Sequence, residues 1–252
     1  MNAAVLVAVA ALALVYVLGR RRKRAALHAP VAASQRERGF LSAPRRHWLY
    51  EYQRVIVADE RGTTEIDVIV VGNSGVFVVE LKDFNAWIFG SEDDEQWTAC
   101  YVDKSKHQFQ NPLRQNFRHI KALQARLGLR QEVFQSVVSF TGHCELKTPM
   151  PSSVVVGSYR RVVESADGIK LTDAEVMRVC QVLAVLEAAS TNDAFDTHVA
   201  DLKMRYSSTT TCPKCGAALV ERRARNAAVN APGFLGCQAF PRCRYTRQLD
   251  AT

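Results

Sequence analysis

A chain of 252 residues with 48% hydrophobic and 23% charged side chains can bury a core of its own and needs no disulfide framework. Its formal charge of +8 is unevenly placed: residues 20–24 are all basic, residues 203–248 hold nine basic side chains against one acid, Glu221, and residues 25–202 hold 19 basic against 23 acidic ones. A mildly acidic body with two basic ends excludes a histone-like coat of charge and directs any membrane or nucleic-acid partner to the termini.

Residues 3–18 form an unbroken apolar run, which with Gly19 reaches the lower limit for crossing a hydrocarbon core of ~30 Å. A cleavable signal peptide carries its positive charge before the apolar stretch, and here the charge follows it. A buried core helix would show a polar stripe, and none interrupts the run. Residues 3–19 therefore read as a single transmembrane anchor. The positive-inside rule then places everything after it on the cytoplasmic side of the inner membrane. Residues 20–44 read as a basic juxtamembrane tether.

The region 45–205 has the pattern of an α/β domain. Strands are expected at 54–58, 65–71 and 76–82, separated by the turns Arg61-Gly62 and Asn73-Ser74-Gly75, as in a β-meander. The second strand carries Asp67 and the third carries Glu80-Leu81-Lys82. Glu80 and Lys82 lie two apart and share a face, and the hairpin brings Asp67 opposite or near Glu80. Two carboxylates and a lysine at one spot have the make-up of a site for Mg²⁺ or Mn²⁺ with a metal-bound water. Alternating charges also line the solvent face of many ordinary strands, so the triplet alone is weak.

Residues 83–106 suggest a further hairpin with Trp87 and Trp97 in its core, broken by the acidic run Glu92-Asp93-Asp94-Glu95, which reads as a solvated turn. Asn111-Pro112 starts a helix, since proline suits the first helical position. Leu113, Phe117, Ile120 and Leu123 give it an apolar face, and Gln115 lies on it with His119 one turn later. A lone histidine there is more often a packing or surface residue than a base. Strands follow at 133–140 and 154–156. Thr172 and Glu175 form a capping-box pattern ahead of a helix at 176–188, and a second helix covers 192–206. Cys100, Cys144 and Cys180 are isolated and read as reduced core thiols.

The last four cysteines are clustered. Cys212-Pro-Lys-Cys215-Gly opens a CxxC turn, and Cys237 and Cys243 supply a second pair about twenty residues later, the spacing of a tetrahedral four-sulfur zinc site over 211–247. A redox CxxC would need neither the second pair nor the intervening glycines. Arg222, Arg223, Arg225, Arg242, Arg244 and Arg247 can meet phosphates, while Phe234, Phe240 and Tyr245 offer faces for unpaired bases.

Two resemblances sharpen this reading. The order Cys212-Pro-x-Cys215-Gly, Leu219-Val220, Phe234-x-Gly236-Cys237, Phe240-Pro241-x-Cys243 and Tyr245 resembles the C-terminal zinc ribbons of bacterial type IA topoisomerases, which bind single-stranded DNA. No topoisomerase catalytic region fits upstream, so the resemblance implies a binding accessory and not a topoisomerase. Residues 64–67, 75–82, 87–90, Trp97 and 109–116 resemble the nuclease-related domain (NERD) family, from about Gly62 to Leu127. That resemblance implies a PD-(D/E)xK nuclease-like mixed sheet flanked by helices. It also implies metal-binding roles for Asp67 and Glu80, a water-orienting role for Lys82, and a place for Gln115 on the flanking helix.

The chain departs from the NERD pattern in three places. Val68 follows Asp67 where the family has His, Leu81 and Asp83 flank Lys82 where the family has an EtKN-like end, and the upstream GxxGE helix has no clean equivalent. Glu37 stands at about the right distance without the glycine frame, and Glu51 is an alternative acid near the first strand. The expected function is a membrane-anchored DNA-processing protein, a Mg-dependent nuclease whose zinc ribbon binds single-stranded DNA. The alternatives are a catalytically inactive scaffold tethering nucleic acid at the membrane and a regulatory membrane protein that binds another protein.

Overall fold

The computed structural model describes residues 49–223 and 233–249. The apolar run 3–19, the tether 20–44, Glu37 and Arg225 lie outside the described residues. Among the described residues, no helix is long and apolar enough to cross a membrane.

The meander is present and longer than its apolar cores suggest: β1 is Tyr50–Asp59, β2 Gly62–Gly72 and β3 Gly75–Asp83. The strands outrun the apolar stretches because the ladder continues through their polar ends, down to Asp59↔Gly62 at the first turn. Gly75 opens β3 with φ +135, and a Cβ there would collide with the Val133 carbonyl. β4 (Trp87–Phe89), β5 (Gln96–Cys100) and β6 (Lys106–Gln110) come next, followed by α1 (Pro112–Leu127) and a short 3₁₀ turn at Gln131–Val133. After these come β7 (Phe134–Thr141), β8 (Glu145–Leu146), β9 (Val154–Val156), α2 (Arg160–Glu164), α3 (Asp173–Ala189) and α4 (Asn192–Ser207). Val133 thus ends a turn and does not begin the strand.

The main sheet has the order β1-β2-β3-β7-β9, antiparallel through β3 and parallel from β3 to β7 and β9. The β3-to-β7 crossover carries α1 and most of a second sheet, ordered β6-β5-β4-β8. Helices cover the main sheet: α1 and α3 pack Ile120, Leu123, Val179 and Leu183 against Ile69, Val71, Val76 and Val78, while Val163 of α2 joins Val68, Phe77 and Val79 on the other face. This is a mixed α/β fold with helix-flanked sheets. The edge strand β1 is masked by α3, whose Glu187 and Ser190 side chains accept the Gln53 and Ile56 amides at 2.9 and 2.8 Å.

Packing corrects two expectations. Phe117 is 53% exposed, because α1 turns Asn116 and His119 inward with Ile120 and Leu123. The buried stripe therefore includes two polar residues: Asn116, hydrogen-bonded to the sheet, and His119, beside Glu80. Trp97 is fully buried and stacks on Phe140 with centroids 6.2 Å apart, but Trp87 is 48% exposed under the Lys147 ammonium. Alternation along β4 buries only Ile88.

A third sheet, β10 (Leu219–Arg222), β11 (Phe234–Cys237) and β12 (Thr246–Gln248), forms the C-terminal module. It is fastened to the body. The Arg247 guanidinium donates to the Ser207 carbonyl at 2.8 Å, with the Tyr206 and Ser208 carbonyls at 3.4 and 3.3 Å, and so caps the end of α4. Lys214 pairs with Glu95 at 2.8 Å, and Arg61 donates to the Lys214 carbonyl.

Candidate active site and zinc centre

The β2–β3 ladder runs from Val68↔Val79 to the turn at Gly72↔Gly75. One step beyond Val68↔Val79, Asp67 stands across from Glu80. There the Asp67 carboxylate accepts the Leu81 backbone N–H at 2.9 Å. Glu80 and Lys82 alternate onto the face covered by α1. The Lys82 ammonium donates to Glu80 Oε1 at 2.6 Å and to Gln115 Oε1 at 3.0 Å. Lys82 thus joins a strand carboxylate to a helix amide, and Asp67 of the neighbouring strand lies beside them through its bond to the Leu81 amide.

Burial grades this cluster. Glu80 and Lys82 are 2% and 8% exposed, whereas Asp67 and Gln115 are half-buried at its mouth. Removing two charges from water is costly unless geometry and hydrogen bonds repay it, and the 2.6 Å contact with Gln115 as third member supplies both. His119 is fully buried beside them, Nδ1 lying 3.5 Å from Glu80 Oε2. Burial lowers its pKa to about 3, opposed by the Asp67 charge, so the ring is neutral at neutral pH.

The sequence pattern Asn111-Pro112-Leu113-Arg114-Gln115-Asn116 gains a physical account. Asn111 caps α1 by accepting the Leu113 amide, and its own amide donates to the carbonyls of Ser91, Glu92 and Asp94. It thereby fixes the acidic loop, which is otherwise exposed. Asn116, fully buried, donates to the carbonyls of Val78 and Val137 and to the Ser136 hydroxyl, clamping α1 across the parallel β3–β7 pair. Sequence reading missed Asn116. The signal was its position three residues before His119 and four before Ile120, on the inward face of α1.

Glu51 does not complete the cluster. It lies on β1 opposite Val70, next to Tyr52, whose side chain enters the α1 side of the sheet, so Glu51 takes the other face and pairs with Arg160 at 2.6 Å. Among the described residues, the only group of three or more His, Cys, Asp or Glu side chains placed to share a metal is the cysteine set.

In that set the Sγ atoms of Cys212, Cys215, Cys237 and Cys243 all lie within 4.8 Å of one another, with Cys212–Cys243 at 3.7 Å and Cys215–Cys237 at 3.3 Å. A tetrahedral zinc with ~2.3 Å bonds sets its sulfurs ~3.8 Å apart, so the donor set fits zinc in kind and spacing. The knuckle forms because Cys212 and Ala217 pair and Gly216 takes φ +76, a conformation that favours glycine. The Ala217 backbone N–H helps draw the Cys215 thiol down to about 7. This centre would hold structural zinc.

The predicted DNA contacts divide into two kinds. Arg222 donates to the Cys237 carbonyl at 3.1 Å and stands 5.8 Å from the Phe240 ring, so it is partly structural. Tyr245 packs in the ribbon core, and Phe234 is half-buried on β11. Arg223, Phe240, Arg242 and Arg244 are exposed.

Sequence comparisons agree with the architecture. Residues 32–141 match the family described as nuclease-related domain, and residues 209–252 match the topoisomerase DNA binding C4 zinc finger. The chain thus resembles a NERD domain followed by a topoisomerase-type C4 zinc ribbon. The NERD match begins upstream of the described residues and takes in Glu37. An uncharacterized protein of Bacillus anthracis is 36% identical over 136 residues, which cover 52% of this chain and 63% of that relative. The chain therefore matches somewhat less than two thirds of that relative's length. No solved structure matches.

Proposed function

We propose that this protein binds single-stranded DNA at the cytoplasmic face of the inner membrane and cleaves it in a Mg²⁺- or Mn²⁺-dependent reaction. The observation that carries the catalytic part is the convergence of Lys82 with Glu80 and Gln115 beside Asp67. Asp67 and Glu80 are hard oxygen donors on adjacent strands and suit a divalent cation in kind. Such an ion, when bound, would stabilise the charge that develops on the phosphate. Lys82, steadied by Gln115, orients the attacking water, and the buried neutral His119 keeps the wall behind Glu80 dry. The ribbon holds the strand nearby and raises its effective concentration at the cluster. Residues 3–19 form the anchor and 20–44 the tether. A cytoplasm-active reporter fused after residue 30 should be active, and an extracytoplasmic signal would reverse the topology.

One observation favours a second reading, a catalytically inactive tether. Lys82 is already closed onto Glu80, and no third acid joins the pair among the described residues. Incubating the protein with single- and double-stranded DNA in Mg²⁺ or Mn²⁺, beside Asp67→Ala and Lys82→Ala, separates the two. Metal-dependent cleavage lost in both variants, with binding kept, establishes the nuclease. Binding without cleavage by any of the three leaves the tether.

A further inference from the structure

The docked ribbon and the body flank an open cleft of about 1320 Å³, larger than the ~300–1,000 Å³ of ordinary small-molecule pockets. The body contributes Arg61, Arg114, Arg118 and Lys121, and the ribbon contributes Lys214, Arg242 and Arg244. Against these seven cations stand Asp59, Glu60 and Glu95. Asp59 lies 3.5 Å from the Arg118 guanidinium, and Glu95 pairs with Lys214.

Five cations stand outside these ion pairs among the described residues: Arg61, whose guanidinium is engaged by the Lys214 carbonyl, and Arg114, Lys121, Arg242 and Arg244. Arg114 donates to the Asp93 backbone carbonyl and Lys121 to the Gln124 and Gln131 side-chain amides, all neutral acceptors. The two modules also face a common point. Glu95 is held below the usual carboxylate range first by its hydrogen bond with Lys214, and also by Arg114 from the body and Arg244 from the ribbon. Phe117 lines the same cleft, 53% exposed, with the Lys121 ammonium 5.4 Å from its ring, and Tyr245 lies on the ribbon side.

We propose that this cleft is a composite binding track for single-stranded nucleic acid, in which Arg114 and Lys121 of α1 and Arg242 and Arg244 of the ribbon hold successive phosphates while Phe117 stacks on a base. The inference rests on the DNA-binding reading above and extends it to the outer face of α1, whose inner face carries Gln115 and His119. Cations held outside tight ion pairs beside an exposed aromatic ring are the features that bind single strands with little sequence preference. A duplex presents no unpaired base to Phe117.

The test uses the full chain and a fluorescein-labelled oligothymidylate, titrated between ~50 and ~200 mM salt. Arg114→Gln/Lys121→Gln should weaken binding about tenfold and flatten the slope of log K against log salt by ~1.4, two contacts at ~0.7 each. Zinc content and the circular dichroism spectrum should not change, and Phe117→Ala, at an exposed helix position, should also weaken binding. If the α1 double variant and Phe117→Ala bind like the parent while Arg242→Gln/Arg244→Gln loses binding, the ribbon works alone and the composite track is wrong, with the DNA-binding reading intact. If the parent protein binds no oligonucleotide, the DNA-binding reading itself fails. Equal competition by a duplex would overturn the assignment to single strands.

Discussion

In the body, charged groups converge because two strands and a helix press them together out of water. In the ribbon, four thiols converge because two short turns aim them at a point that a metal would occupy. The Lys82–Glu80 pair is buried among hydrogen-bond partners contributed by the fold, and the fold stands on cores rich in valine, isoleucine and leucine around it. Among the described residues, the buried core of the ribbon is Cys212, Leu219, Leu235 and Cys237. One site depends on its fold, and the other fold depends on its site.

The sharpest way to break that contrast is metal removal. A Cys212→Ser variant, or chelation of the parent protein, should release about one equivalent of zinc and unfold the ribbon, whose binding free energy is of the order of 10–16 kcal/mol in isolated zinc modules. Hydrogen exchange should show the 211–247 amides losing protection while β1–β3 and β7 keep theirs. A ribbon that stays protected without metal would place its stability in packing instead.

The body should answer to loss of a charge partner. Lys82→Ala leaves Glu80, 2% exposed, without its 2.6 Å ammonium, and is expected to cost about 3–5 kcal/mol in urea unfolding. The double variant Glu80→Gln/Lys82→Met should recover most of that, because no uncompensated charge remains. If the single substitution costs less than about 1 kcal/mol, water reaches the pair and the contrast with the ribbon weakens.

A smaller effect separates the parts by pH. His198 is buried in α4, with Nδ1 2.7 Å from the Thr63 hydroxyl of β2, and burial lowers its pKa. The unfolded chain then binds this proton more readily than the folded one. Stability from His198 is full above the ordinary histidine value of ~6.5 and is lost as pH falls below it, by up to ~1.4 kcal/mol per pH unit. The difference between the parent protein and His198→Asn should therefore shrink from neutral pH toward pH ~5. Glu65 and Asp201 oppose the shift while Arg205 and Arg118 reinforce it, so a difference that grows on acidification would mean the carboxylates dominate.

The sequence showed the two sites to different depths for the same reason. Cysteine spacing is local, so the ligand set could be read from 212, 215, 237 and 243 without knowing the fold. The cluster of Asp67, Glu80 and Lys82 was legible because a tight hairpin makes register local as well. Gln115 came from the resemblance alone, since its contact with Lys82 spans the β3-to-β7 crossover. The inward turn of His119 and Asn116 was illegible for a related reason. Helical periodicity ranks faces by hydrophobicity, and Phe117 outranks Asn116, whose hydrogen-bond partners lie on distant strands, and His119, which lies 3.5 Å from Glu80 of β3. The union of ribbon and body, through Arg247 and the end of α4, leaves no periodic trace at all.

That union sets the smallest effect. Lys214 and Glu95 are each 45% exposed, and an ion pair so open to solvent contributes about 0.2–1 kcal/mol and is screened by salt. Lys214→Ala should therefore leave both the body transition and the zinc content unchanged. Docking should survive it, because Arg247 still holds the end of α4 through main-chain carbonyls, contacts that salt and side-chain substitution in the acidic loop do not touch. Arg247→Ala should do more, raising protease sensitivity around residues 207–211 while zinc stays bound. If Lys214→Ala frees the ribbon as fully as Arg247→Ala, the modules are held by charge at the acidic loop and not by the cap on α4.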